Sequence, residues 1–559
     1  MEAEDGDDHG DCDSGRHVGS GNGSSTDHSL DEAYCAAGGL GADDSDSDMD
    51  AQRSQVESAG VLARPLPGPR SQLEALAWTK ADREALEVRG RFWTGVDCIQ
   101  KIKKCMADGV IMRTDYSGMG TPEEALRHIE LEFGADFHGH SGRCRCQRAG
   151  DILPHCRSLL KANNSTMAPA CIHKDIMERM HPSTTRAILD MQANYMALAA
   201  HTELSGTMQK MQARLHFGKR FFLYAFQQAF HDVQQVNMCD IKADCVVHNM
   251  PCPVLPSRPT DFLGFLCAIA GISCFDFTNM GLQAGWFGQS ALPFIQWLVE
   301  RVMSTEDFVI MECVEQFTDD IVRSAVQGIF ELVSLRISPT MFGDPISRPR
   351  KYMILSRISS VCWEPKIVET GHQAVFHALF KRELLIHGDD KLQAPIEDVQ
   401  RMIENMAKQR HMSPSRQSGR PWSCWQVMSA AQKSSLQNHE EKLRDMGQEI
   451  DAPFVSNLAQ TPSFAAPKGP EALPVLLRRS SLWSFRKRRL ATPLEHMALQ
   501  NHVVFTAQED PWRCSFLQGI YNLSDAQIKA VAGNGMHMHA IGSALLFALL
   551  VLRKLSRHA

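Results

Sequence analysis

The chain lacks any apolar run of the ~18 residues needed to cross a bilayer. Its longest candidate, Ile541 to Leu552, has 12 residues and reads as a buried helix rather than a membrane anchor. A basic start followed by an apolar stretch is also missing, so no secretory signal is read. Internal repeats are absent. The first 50 residues nearly lack positive charge, with 15 Asp/Glu against a single Arg. The 17 cysteines follow no regular spacing. In a chain with no secretory signal they read as reduced thiols, not a disulfide framework.

What is present is ordinary for a globular protein: 559 residues, 43% hydrophobic and 22% charged. That length suggests about three to four domain-sized blocks. Residues 1–50 carry −14 of a chain whose net charge is −7, so the remaining 509 carry +7. An acidic tail on a mildly basic body suits a nucleic-acid partner.

Residues 1–70 are rich in Asp, Ser and Gly and end in a proline-rich hinge, ARPLPGPR. They hold too little apolar surface to offset chain entropy and are expected to be disordered. A globular pattern runs from 71 to 355. Val110-Ile-Met112 is a β-prone run leading into Asp115-Tyr-Ser-Gly-Met-Gly120. A helix follows, with Thr121 as expected N-cap and Pro122 at its first position. Residues 181–250 read as a helical insertion, with Leu204, Met208, Met211, Leu215 and then Phe222, Phe226, Phe230 at helical steps, expected to be core. Strands are expected at Phe265–Ile272, Phe308–Met311 and Tyr352–Leu355, and an apolar helix at Phe294–Met303. Residues 395–500 are polar, Gln/Ser/Pro-rich and irregular, and 501–559 return to the core. Strand, glycine turn and helix in alternation predict an α/β fold with a doubly wound, mostly parallel sheet.

Cys274 stands at the end of an apolar strand, before a glycine-rich loop, Met280-Gly-Leu-Gln-Ala-Gly-Trp-Phe-Gly288. Sites in such sheets lie at the carboxyl ends of strands. A thiol there serves as a nucleophile if its thiolate is favoured. Glu312 ends the next apolar strand, and Arg348 and Arg350 precede the one at Tyr352. Nucleophile, carboxyl and arginines thus come in order on successive strand ends.

In that order the chain resembles the cytosine-5 DNA methyltransferase family, in particular its divergent protist, dinoflagellate-type members, from about residue 108 to 552. Asp115, Tyr116, Ser117, Gly118, Met119 and Gly120 resemble the family's first motif, which cradles S-adenosyl-L-methionine. Asp151 resembles the acid that binds the adenosine ribose, with Asp240 as a rival. Asp175 and Ile176 resemble the third cofactor motif. Ser273-Cys274 stands at the Pro-Cys nucleophile, Glu312-Cys-Val at Glu-Asn-Val, and Arg348 and Arg350 at Gln-x-Arg-x-Arg. Gly533-Asn534-Gly535 resembles the closing Gly-Asn-Ser motif. Ser273, Thr121 and Ile346 depart from the family pattern.

The resemblance implies a methyltransferase-type sheet, S-adenosyl-L-methionine as cofactor, and methylation of cytosine C5 in DNA through a covalent Cys274 adduct. Glu312 would stabilise the charge on the base, Arg348 and Arg350 would fix it, and Glu123 and Glu124 would meet the cofactor's ammonium. RNA as substrate, or a catalytically lapsed nucleic-acid-binding protein, are the alternatives. Residues 356–500 would be the target-recognition region, and action on DNA implies the nucleus. Arg478, Arg479, Arg486, Lys487, Arg488 and Arg489 cluster with Trp483 and Phe485 inside that region. They suit phosphate contact, an import patch or a solvated basic loop. Cys239, Cys245, His248 and Cys252 have a spacing open to zinc or to plain thiols. Thiols are favoured, and no metal is expected. The Cys144-Arg-Cys146 pair is read as incidental.

Overall fold

A computed structural model describes residues 64–95, 97–134, 144–201, 207–235, 241–277, 284–412 and 422–555. The acidic residues 1–63, Cys239, Asp240 and residues 280–283 of the glycine-rich loop lie outside the described residues. So do Leu204 and the side chains of Met208 and Met211.

The apolar runs become the centre of a nine-stranded sheet. Its strands in chain order are β1 (Val110–Asp115), β2 (Arg145–Gly150), β3 (Ile172–His173), β4 (Lys242–Cys245), β5 (Met250–Pro253), β6 (Phe265–Gly271), β7 (Phe308–Val314), β8 (Phe330–Ile337) and β9 (Arg350–Arg357). Across the sheet the order is β5-β4-β3-β2-β1-β6-β7-β9-β8. β3, β2, β1, β6 and β7 are parallel to one another; the β4–β5 hairpin at one edge and β9 between β7 and β8 at the other run antiparallel. The chain leaves β1 toward β3 and returns to β1's other side at β6, so the topological switch lies between β1 and β6. This is the doubly wound, mostly parallel sheet expected for the S-adenosyl-L-methionine-dependent methyltransferase type.

A parallel strand covered on both faces must be apolar on both. β6 and β7 meet that requirement: every residue of β7 is buried, and all of β6 but Gly271. Their side chains alternate between two cores. Cys267, Ile269, Phe308 and Ile310 face one layer, and Ala268, Ala270, Val309 and Met311 the other. The first layer holds α1 (Trp78–Ala85), α2 (Cys98–Asp108) and α3 (Thr121–Phe133). The second holds α4 (Pro182–His201), α5 (Thr207–Gln234) and α6 (Ala291–Met303). Phe222 and Phe226 of α5 are buried there, Phe222 at 4.4 Å from Trp286 and 5.7 Å from Phe294 between ring centroids. Leu215, expected in the same stripe, is exposed instead, because the helix pair covers only part of its length with the sheet layer.

The C-terminal helix, α10 (Met538–Val551), is buried along all 14 residues in the first layer. The helical stretch Asp525–Val551 is apolar enough by composition to cross a membrane, yet 94% of its most apolar window is inside the protein. Gly542 lets it approach Trp78: a Cβ there would lie 2.1 Å from the indole. The core thus uses the chain end as a central pillar.

Two boundaries differ from the sequence reading. The hinge ARPLPGPR is docked from Arg64 onward. Leu66 exchanges backbone hydrogen bonds with Lys381 and Glu383 (2.9 and 2.8 Å), and Gly68 is packed against Glu383. Backbone pairing, not apolar area, holds it, and composition does not register that. Residues 361–380, placed by the resemblance in the target-recognition region, belong to the main core. β10 (Val361–Trp363) pairs with β14 (Leu552–Lys554), and Val375, Phe376 and Leu379 of α7 (His372–Phe380) are fully buried. The separate small core begins later. It packs α8 (Ile396–Gln409) and α9 (Ala430–Asp445) on a short sheet of β11 (Val455–Asn457), β12 (Leu482–Ser484) and β13 (Arg489–Leu490).

Candidate active site

Parallel strands bring their carboxyl ends to one rim, and there the motifs assemble. On one side of the switch, β1 ends at Asp115, β2 is followed by Asp151, and β3 by Asp175. The turn after β1 needs left-handed backbone at Tyr116 (φ 51°), Gly118 (φ 56°) and Gly120 (φ 92°). It is tied to β2 by Ser117 N–H donating to Gly150 O (3.0 Å) and Gly118 N–H donating to Asp151 Oδ2 (2.8 Å). Gly120 itself caps α3; the expected cap, Thr121, lies inside the helix, its hydroxyl 3.3 Å from His502 Nε2. Asp151 also accepts from Leu153 N–H (2.9 Å), and burial raises its pKa. Asp175 caps the turn Ile176–Arg179 by accepting from Met177 N–H (2.9 Å), with Ile176 buried.

Under this rim lies a buried ionic network. Arg148 of β2 grips Asp115 with two hydrogen bonds (2.7 and 2.8 Å), and Arg179 adds a third (3.0 Å). Arg179 also meets Glu300 (3.1 Å), while Glu306 takes Arg113 (3.0 Å) and Arg301 (2.7 Å). Burial works to raise the Asp115 pKa, but Arg148, Arg179 and Arg301 outweigh it and hold the carboxyl well below its usual range. Asp115 is therefore a structural anion beneath the turn rather than a surface toward a ligand. Glu124 is likewise engaged: it accepts from Arg127, from Ser515 N–H (2.9 Å) and from Ser515 Oγ (2.6 Å). Glu123 differs. Burial raises it to about 7, Thr114 donates to one oxygen, and its Oε2 has no hydrogen-bond partner among the described residues.

On the other side of the switch stand Cys274, Glu312 and Arg350. Gly271, the last residue of β6, is in register with Glu312 of β7, and Ile272 N–H donates to Glu312 O (3.2 Å). Cys274 follows three residues after β6, half-buried. β9 runs back along β7, pairing Arg350 with Val314, so its first residue reaches the same rim. Arg350 Nε lies 3.0 Å from Glu312 Oε1. A hydrogen bond from the buried Cys313 thiol is the largest influence lowering the Cys274 pKa. Burial and Glu312 oppose it; Arg350 and Arg348 add to it. Cys274, Glu312 and Arg350 are thus together.

Arg348 has a different task. It is buried and donates to three carbonyls, Leu476 O (3.2 Å), Gly533 O (3.3 Å) and Gly535 O (2.8 Å). Burial, and then Arg350, push its guanidinium down to about 10. It holds the Gly533–Gly535 turn in place instead of reaching toward a substrate. Both glycines are sterically required: a Cβ at Gly533 would sit 2.4 Å from Leu477 backbone, and one at Gly535 2.5 Å from Met119. The closing motif therefore touches the first motif, with Asn534 exposed between the two glycines.

Two residues missed in the sequence complete the site. Cys313 stands where the family has Asn, and only register shows its thiol turned to Cys274. Asp276 clasps the segment after Cys274 to Ser290, accepting from Ser290 N–H (3.0 Å) and Ser290 Oγ (2.6 Å). An acid two residues after Cys274 was the available signal.

The basic cluster divides. Arg486 is paired with Asp389 and Asp390 (2.5 Å each), and Arg489 with Glu495 (2.7 Å). Trp483 and Phe485 are buried in the small core, so they offer no stacking surface. Arg478, Arg479, Lys487 and Arg488 are exposed.

No family model matches the sequence, and no curated protein does. Solved structures do match. The chain is similar to the Dnmt2 methyltransferase of S. pombe (13% identity, 78% of this chain and 97% of that one, TM-score 0.33). It is similar to the Entamoeba histolytica methyltransferase EhMeth (11%, 79% and 98%, TM-score 0.36). It is also similar to a DNMT2 variant from Spodoptera frugiperda (12%, 79% and 99%, TM-score 0.33). These structural neighbours are methyltransferases. Within the site, open space lies beyond Gly118, and Glu123 Oε2, without a hydrogen-bond partner among the described residues, would lie 3.7 Å from a Cβ on Gly120. An acceptor beside such a turn fits a polar cofactor of the S-adenosyl-L-methionine kind.

Proposed function

We propose that this chain methylates cytosine at C5 in DNA, using S-adenosyl-L-methionine and a transient covalent bond to Cys274. The observation that supports this most is the meeting of Cys274, Glu312 and Arg350 on one rim, across the switch point from the turn Asp115–Gly120. The turn, Asp151 and Asp175 with Ile176 would hold the cofactor, and Asn534 would close over it. When bound, the cofactor supplies an electrophilic methyl group.

The chain's own residues would prepare the base. C5 of cytosine is a poor nucleophile while the ring is aromatic. Cys274 thiolate adds to C6, and the ring's electron pair moves toward N3. A proton held between Glu312 and N3, with the exocyclic amine donating to the same carboxyl, stabilises the charge that develops there. Arg350 keeps Glu312 aimed and favours the thiolate. C5 then gains its methyl group, loses its proton to a base, and Cys274 is expelled. A stacked base hides C6, so the target nucleotide must leave the duplex. The exposed Arg478, Arg479, Lys487 and Arg488 would contact phosphates. Such a substrate would place the protein in the nucleus.

The test is a covalent trap. The full chain is incubated with S-adenosyl-L-methionine and DNA carrying 5-fluorocytosine, whose fluorine cannot leave as a proton. A denaturation-resistant adduct is expected with wild type and none with Cys274→Ser. An adduct with RNA alone moves the substrate to RNA. Cofactor binding without any adduct leaves a lapsed enzyme.

A further inference from the structure

A second group of chemically active side chains lies at the opposite edge of the sheet, away from the nucleophile. β4 and β5 form a hairpin that extends the parallel sheet past the two-residue strand β3. Cys245 ends β4, His248 lies in the turn, Cys252 is in β5, and Cys171 immediately precedes β3. The four ligand atoms all lie within 4.8 Å of one another. We propose that Cys171, Cys245, His248 and Cys252 bind one zinc ion that staples the β4–β5 hairpin to β3.

The distances decide between a metal site and a chance cluster. With Zn–S near 2.3 Å and Zn–N near 2.0–2.1 Å, tetrahedral geometry puts nitrogen and sulfur about 3.5 Å apart. His248 Nδ1 is 3.7 Å from Cys171 Sγ, 3.4 Å from Cys245 Sγ and 3.3 Å from Cys252 Sγ. One nitrogen equidistant from three sulfurs is the arrangement a central ion imposes. The local chain suits it as well. Asn249 adopts left-handed backbone (φ 53°), its N–H donating to Cys245 O (2.8 Å), which turns His248 back over the thiols.

Three thiolates and one imidazole form a soft set that selects zinc over magnesium or calcium. Four protein ligands leave no open position, so the site is structural rather than catalytic. The need is visible too. Among the described residues, the hairpin's own buried cluster is Ala243, Val254 and Leu255, with Ile241 partly covered. So small a core does not hold a hairpin by burial alone. Spacing along the chain had suggested Cys239 as the fourth ligand. Cys171 takes that place, more than 70 residues upstream of the hairpin's His248, and only sheet pairing reveals it.

The experiment uses the full chain, purified under reducing conditions without chelators. Elemental analysis is expected to find about one zinc per chain. Cys245→Ser with Cys252→Ser should lose it, while Cys362→Ser, a thiol outside the cluster, should keep it. Cobalt added to metal-stripped protein should give thiolate charge-transfer bands and the strong visible bands of a tetrahedral ion. If the double variant fails to fold, His248→Ala, at an exposed position, serves instead. Loss of an outer partner alone weakens metal sites about 10- to 100-fold, so loss of this ligand should weaken zinc at least ~10-fold and alter the cobalt spectrum. Metal-free wild type showing no cobalt bands, an unchanged His248→Ala spectrum, or a disulfide among these thiols would overturn the assignment. None of these readouts depends on methyl transfer.

Discussion

The two halves of the central sheet meet at the switch between β1 and β6 and are held by different forces. β6 and β7 are apolar apart from Glu312, and they are buried because they are hydrophobic. β1 and β2 bury Arg113, Arg148 and Asp115, with Arg179, Glu300, Arg301 and Glu306 brought in from other elements. The apolar half carries the half-buried thiol of Cys274 at its rim; the charged half carries a glycine turn whose Ser117 and Gly118 N–H groups are tied to Gly150 and Asp151. A cluster of buried ions fixes direction as well as position, because each guanidinium must meet its carboxylates in one geometry. The lesson is that rigidity under the Asp115–Gly120 turn was built from charge, and rigidity under Cys274 from packing.

Acid should break this comparison most strongly. Burial pushes the imidazole of His128 down to about 3 and those of His173, His502 and His537 to about 4. Each is neutral when folded and takes up a proton more readily when unfolded. Their contribution is therefore present above about pH 6.5 and is lost as pH falls from there toward 4, at up to about 1.4 kcal/mol per group per pH unit. Asp115, with a depressed pKa, loses its contribution only below the usual carboxylate range. Hydrogen exchange between pH 7 and 5 should show α3 and the β3 edge, which carry His128 and His173, opening before β6–β7. Simultaneous opening of both halves would argue against separate physics.

Single substitutions sharpen the same contrast. Arg148→Met leaves Asp115 short of its two-pronged partner and should cost about 3–5 kcal/mol in urea unfolding. Adding Asp115→Asn should recover part of that loss, since the uncompensated charge is gone. Ile310→Ala in the apolar half should cost about 2–5 kcal/mol, with no polar second change restoring it. At the reactive rim, Cys313→Ala removes the hydrogen bond that most lowers the Cys274 pKa. Alkylation of Cys274 should then need higher pH and slow about two- to tenfold near neutrality, the worth of one hydrogen bond. A similarly small effect is expected at Gly118→Ala. Nothing lies within 4 Å of the new Cβ, so only the left-handed φ of 56° opposes it, at about 1–2 kcal/mol. Cofactor binding measured by calorimetry should fall more than stability does.

How much was readable depends on the force involved. β6, β7 and β9 announced themselves as apolar runs, and the ordered Cys274, Glu312 and Arg350 followed from them. β2 did not, because Arg145-Cys-Gln-Arg148 looks like a solvated segment until Asp115 is seen to neutralise Arg148. β8 was missed as well; as an edge strand it alternates buried and exposed residues weakly. Arg348 and Arg350, two residues apart on one strand, looked alike in sequence. Structure sends one to three buried carbonyls and the other to Glu312. The basic run 478–489 looked uniform, yet Arg486 and Arg489 are tied into ion pairs.

Local chemistry along the chain determined which segments are buried, where the strands end, and which side chains are able to react. Those properties depend on near neighbours and on transfer of apolar groups from water. Only the folded sheet decided which charges neutralise one another, which arginine faces the carboxylate, and that Cys171 joins a hairpin far along the chain. Such pairings act through space over a few ångströms, and residues distant in sequence carry no mark of them until the strands are laid side by side.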